Sequence, residues 1–301
     1  MSKIFSGLFV VAQTPFTDDG SLDLPSVDTL CDFYLEHGAA GLTVLGVAGE
    51  AAKLSMEESI ATVRRYVARA NGKPVIAGVS NPSVAQLATL TKEVMEAGAY
   101  GVMIAPASGL KTEEEILNYF AAVFARIGDV PTVLQDFPFS TGVWMSVPTI
   151  ARLIERFPQI QAIKEEDIPS AAKITRIRAA LVRPVPILTG NNGVFLLQEL
   201  AHGIEGPMAG FSYPEMLSGV HDLYSAGKVE EAHDLFDTYL PLLSFENQSQ
   251  WGVAVRKEVL KRRGAISSAA MRAPGPALTQ ADLKDIDVLV RRVEKAIAKR
   301  A

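Results

Sequence analysis

Eight short apolar runs, each followed by a stretch of helical periodicity, constrain the fold more than any single residue does. They are GLFVVA (7–12), AGLTVLG (40–46), KPVIAGV (73–79), YGVMIAP (100–106), PTVLQDF (131–137), IQAIKE (160–165), VPILTG (185–190) and GPMAGF (206–211). The runs are continuously apolar rather than alternating, as strands are when both faces of a parallel sheet are covered. Segments between them, such as EESIATVRRYVARA and VAQLATLTKEVMEAGA, repeat their apolar residues at helical spacing. A helix is expected over 25–37, with Gly38 as its stop. Eight βα units in residues 1–224 match the size of a TIM (β/α)8 barrel. A doubly wound sheet would open on a glycine-rich phosphate turn after its first strand, and QTPFTDDG (13–20) is not one.

Past Tyr224 the strand pattern stops. KVEEAHDLFDTYLPLL, GVAVRKEVLKRRG and TQADLKDIDVLVRRVEKAIAKR read as three helices, the last two joined by the Pro/Gly-containing AISSAAMRAPGPA. We therefore expect a catalytic barrel over 1–224 and a helical extension over 225–301 packed on it. The basic run RKEVLKRR (256–263) reads as a solvated helix face.

Composition narrows the function classes. The 301 residues are 48% apolar and 21% charged, ample for a core. A formal net charge of −5 argues against a nucleic-acid binder. One cysteine, Cys31, leaves no disulfide framework, and its place in a helical pattern reads as buried packing. No run is long enough for a membrane span, so a soluble, cytoplasmic protein is expected. His37, His202, His221 and His233 all lie in helical patterns, which speaks against metal ligation, and no cofactor is implied.

In such a barrel the chemistry sits where the strands end. The sixth strand ends in a lysine, Lys164, followed at once by Glu165, Glu166 and Asp167. A strand-end lysine on apolar walls is partly desolvated, which favours a neutral amine able to attack a carbonyl and form a Schiff base. The other reading is a structural lysine paired with Glu165 or Glu166. It is weakened because those carboxylates are expected to follow the lysine out of the sheet into the loop. After the second strand, GVAGE (46–50) reads either as a plain glycine turn or as a nest of backbone N–H groups for a carboxylate. Glu50 can be a cap of the next helix.

Taken in order, these motifs resemble the dihydrodipicolinate synthase/N-acetylneuraminate lyase family of Schiff-base enzymes. The likeness rests on TPF (14–16) with DDGSLD (18–23), GVAGEAAKLSMEE (46–58), PVIAGV (74–79), GAYGVMIAP (98–106), IKEED (163–167) and GNNG (190–193). It runs over nearly the whole chain. It implies a TIM barrel with a C-terminal helical segment, usually a homotetramer, acting on a small-molecule 2-oxo acid. It also implies that Lys164 is the imine-forming residue, that the backbone at Val47 and Ala48 holds the substrate carboxylate, and that Gly46 beside them belongs to the substrate site. Further substrate contacts are expected from Ser108, Asp136, Gly190 and Ala209.

The departures from the family pattern bear on the reaction. Val47 and Ala48 lack the hydroxyls usual in that turn. Gln135 stands where the family keeps its proton-shuttling tyrosine. Ser140 replaces the synthase's arginine clamp, and Ser108 its second tyrosine. An amide hydrogen-bonds but does not transfer protons at neutral pH. Synthase activity is therefore disfavoured. Three readings follow: a dehydratase of a 2-keto-3-deoxy sugar acid, a pyruvate-releasing retro-aldolase, or a protein that binds 2-oxo acids without turnover. Ordered water held by Gln135, Asp136 or Ser108 is a possible proton source, and the base is unassigned.

Overall fold

A computed structural model describes residues 4–299 of the chain. Eight parallel strands close in sequence order: β1 (Phe9–Val11), β2 (Gly41–Val44), β3 (Val75–Gly78), β4 (Gly101–Ile104), β5 (Thr132–Asp136), β6 (Ile160–Glu165), β7 (Ile187–Thr189) and β8 (Gly206–Ala209). Every run expected to be a strand is one. The helix expected over 25–37 spans Leu24–Glu36. No helix among the described residues is long and apolar enough to cross a membrane.

The two-residue period of a strand divides the apolar residues between two cores. Phe9, Val11, Ile76, Met103, Val133, Ala162, Leu188 and Met208 fill the barrel. Their neighbours, among them Val10, Leu134, Ile163, Ile187 and Ala209, face the surrounding helices. Cys31 is fully buried in that outer core. The same alternation decides which strand-end residues reach the mouth.

The extension is three helices, Val229–Glu246, Ser249–Arg262 and Gln280–Ile297. It is tied to the barrel rather than merely adjacent to it. Lys257 pairs with Glu50 and also donates to the Ala270 carbonyl at 3.0 Å. Arg272, in the joining segment, binds Glu58 and the Gly20 carbonyl. Two expectations are corrected here. The basic run is not a solvated face at its start, since Arg256 is 1% and Lys257 0% exposed. Glu50 stands at the N-cap position of the short 3₁₀ turn Ala51–Lys53, but its side chain makes no capping bond, and Ser55 caps Met56–Arg69. Glu50 sits buried with φ 55° and anchors Lys53, Lys257 and the Arg272 amide.

Candidate active site

Gln135 and Lys164 are register partners on β5 and β6. The inward positions of β5 are Val133 then Gln135, and those of β6 are Ala162 then Lys164, so both polar side chains rise from the apolar barrel core. Glu166 comes next in the alternation. Its N–H still bonds the Asp136 carbonyl at 2.9 Å, so the chain stays extended and the carboxylate turns inward. Lys164, Gln135 and Glu166 are 4%, 6% and 5% exposed.

Glu166 is held from both sides. Its Oε2 accepts from Gln135 Nε2 at 2.7 Å and lies 3.4 Å from Lys164 Nζ. Its Oε1 accepts from the Asn191 N–H at 3.3 Å. Gly190 makes room for it, because any side chain there would overlap the Glu166 carboxylate. The expectation that the carboxylates would leave the sheet together is therefore wrong for Glu166. The signal was available: in an extended chain, residues 164 and 166 share a face.

Glu165 and Asp136 take the opposite face. Asp136, expected to contact substrate, is fully buried outside the barrel and pairs with Lys173. Lys173 also reaches Asp167 at 2.8 Å and the Met145 carbonyl at 2.9 Å. Burial pushes Glu165 well above the usual carboxylate range, with the Asp136 charge adding to the effect. Burial likewise raises Asp136, against the pull of Lys173. For Lys173, burial works against the charge, but Glu165 and Asp136 prevail and hold it above the usual lysine range. The Lys173 ammonium is thus paired directly with Asp136 and Asp167, with Glu165 beside them. This cluster locks the ends of β5 and β6 from behind.

The mouth holds two cavities that share Val47, Gln135, Phe137, Ser140, Gln250 and Val253. The smaller, about 560 Å³, is bordered by Lys164, Glu166, Ala48, Gly190, Gly210 and Arg256. The larger, about 900 Å³, is bordered by Gly46, Ser80, Asn81 and Ser108. Ser108 thus stands across Gln135 from the lysine's lobe. Ala209 borders the lysine's lobe, but its methyl belongs to the outer core, and Gly210 takes the inward position after it. Val47–Gly49 forms a single 3₁₀ turn, fixed where Thr14 Oγ1 donates to the Gly49 carbonyl at 2.6 Å. Gln250, Val253 and Arg256, all from the helix Ser249–Arg262, roof the mouth; the sequence marks none of them as functional, and Arg256 lies in the run expected to be a solvated face.

A parallel (β/α)8 barrel with a buried amine, an amide and a carboxylate converging at the ends of β5 and β6 has the layout of a carbonyl-handling enzyme. Comparison with known proteins makes the class specific. The model of the dihydrodipicolinate synthetase family matches residues 4–293. An L-2-keto-3-deoxyarabonate dehydratase of Azospirillum brasilense is 28% identical over 300 residues, covering 97% of this chain and 95% of its own. A 4-hydroxy-tetrahydrodipicolinate synthase of Sorangium cellulosum is 31% identical over 304 residues, covering 98% of each chain. The crystal structure of a dihydrodipicolinate synthase from Rhodopseudomonas palustris superposes with a TM-score of 0.94 at 44% identity, covering 97% of this chain and 99% of its own. The chain belongs to the dihydrodipicolinate synthetase family. It is a lyase that works through a lysine Schiff base.

Proposed function

We propose that the protein dehydrates a 2-keto-3-deoxy sugar acid through an imine on Lys164, with Glu166 as the base. The observation that carries this reading is the Glu166 carboxylate 3.4 Å from Lys164 Nζ, beside an amide where a tyrosine would serve aldol chemistry. Attack of Nζ on the C2 carbonyl, with loss of water, gives the imine. C3 of the bound acid is then two bonds from Nζ, within reach of Glu166 Oε2. Removal of a C3 proton makes the enamine. Its electron pair expels the C4 hydroxyl, which leaves as water after taking up a proton. In a five-carbon acid, moving a proton from C5 to C3 of the unsaturated imine gives an enol, which settles to an aldehyde at C5. Hydrolysis then frees Lys164.

Cleavage of C3–C4 would need a group to take the proton of the C4 hydroxyl. Gln135 cannot do that, and its Nε2 is already engaged with Glu166. The pairing of Ser140 and Ser108 with the missing arginine and second tyrosine speaks against the synthase reaction. Full-length similarity to the Azospirillum dehydratase supports the same direction. The test is product identity. A five-carbon 2-keto-3-deoxy acid should give a dicarbonyl acid one water lighter. Pyruvate and a two-carbon aldehyde as main products would instead establish the retro-aldolase. Barrel and helical extension are proposed to act as one catalytic unit, since the extension roofs this cavity.

A further inference from the structure

We propose that Arg256 receives the C1 carboxylate of the substrate, supplying a charge where Val47 and Ala48 offer only backbone donors. This rests on the reading that the lysine's cavity takes a 2-oxo acid.

Arg256 comes from the extension, yet its guanidinium lies on the inner face of the barrel mouth. Met208 points into the barrel and Ala209 outward, so position 210 points inward again. That position is glycine, and a Cβ there would lie 2.9 Å from Arg256 Nη1 and 2.9 Å from the Val11 carbonyl oxygen. The guanidinium therefore occupies the space an inward side chain of β8 would fill. Val11, Val47, Ala48, Gly210, Lys164 and Arg256 all border one cavity.

The two ends of the guanidinium are treated differently. Nε donates to Glu246 Oε2 at 3.1 Å. Glu246 is itself held by the Ser212 N–H at 3.2 Å and the Ser212 hydroxyl. Nη1 is buried and has no hydrogen-bond partner. An arginine N–H out of water without an acceptor is costly, and a carboxylate is the acceptor its geometry suits best. Glu246 aims the group and leaves Nη1 to the ligand. In this arrangement Arg256 touches one end of the acid while Lys164 and Glu166 work on C2 and C3.

The experiment compares pyruvate with its neutral twin, pyruvamide, by calorimetry on the full chain, with borohydride trapping in parallel. Variants are Arg256→Lys, which keeps a charge beside Glu246, and Arg256→Met/Glu246→Gln, which removes both charges together. Each is checked for fold by circular dichroism. The wild type should prefer pyruvate. The double variant should weaken pyruvate binding by about 10- to 100-fold and leave pyruvamide unchanged. Arg256→Lys should fall between, and it decides the matter if the double variant does not fold. Equal losses for acid and amide would show a structural role only, and an unchanged preference would overturn the proposal outright. Trapping keeps the two hypotheses apart. Wild type that binds pyruvate through Arg256 but is never trapped would sink the Lys164 imine and spare Arg256. Trapping with no dependence on Arg256 would do the reverse.

Discussion

Glu166 Oε2 lies 3.4 Å from Lys164 Nζ, two residues along the same strand face, at the top of an otherwise apolar barrel core. If Lys164 is the nucleophile and Glu166 the base, as proposed, one strand delivers both and no loop is needed to bring them together. Replacing Glu166 with Gln keeps the shape and an oxygen to accept from the Asn191 N–H, lets Gln135 turn its own amide oxygen towards the new NH2, and removes the base. We expect turnover to fall by about 10²–10⁴. Trapping of pyruvate should persist, and C3 deuterium exchange of 2-oxobutyrate, followed by NMR, should slow in parallel. Undiminished exchange would place the base elsewhere.

Lys164→Ala should abolish the borohydride adduct with pyruvate and leave turnover below about 10⁻³ of wild type. Intact-mass analysis and peptide mapping read the result. An adduct that survives on another lysine would refute the assignment.

At position 135 the choice of route can be probed directly. Gln135→Tyr restores a group that can take a proton from the C4 hydroxyl and withdraws the amide from Glu166. The ratio of pyruvate to dehydrated product, measured by chromatography, should rise. No change in that ratio would mean that residue 135 does not select the reaction.

Behind the sheet, Lys173 balances Asp136 and Glu165. Lys173→Met strands buried carboxyl charge and should lower stability by about 3–5 kcal/mol at neutral pH in a denaturant titration. Both acids have folded-state values raised by burial. The folded protein therefore holds protons that the unfolded chain releases, so each acid's contribution falls as pH rises through the window. The gap between variant and wild type should accordingly narrow as pH is lowered. A gap constant with pH would contradict the assignment of charge.

Lys257 gives the opposite slope. Burial outweighs the pull of Glu50 and holds this lysine down to about 8. An unfolded lysine keeps its proton to about 10.4. Between these values unfolding takes up a proton, so stability from this group rises with pH. Urea midpoints for wild type minus Lys257→Met should climb from pH 8 towards pH 10. A flat difference would mean that Lys257 titrates normally.

The barrel was legible in the sequence because its signals are local. An unbroken apolar run such as VMI at 102–104 is buried on both faces, and a 3.6-residue repeat marks the helix beside it. Lys164 was legible for the same reason, as a charge at the end of such a run. Strict use of the two-residue period would also have turned Glu166 inward and Asp136 and Ala209 outward, since strand geometry alone decides those directions.

Arg256, Lys257 and Glu50 were not legible in that way. Nothing within a few residues of Arg256 marks it as part of the mouth. It is buried because the helix that carries it docks across β1 and β8, into space left by Gly210, with Glu246 to neutralise it. Glu50 is an anchor because Lys257, 207 positions later, meets it. Backbone periodicity is a property of neighbouring residues and is written in the sequence. The burial and pairing of a charge depend on which distant segments pack against it, and only the folded chain brings those together.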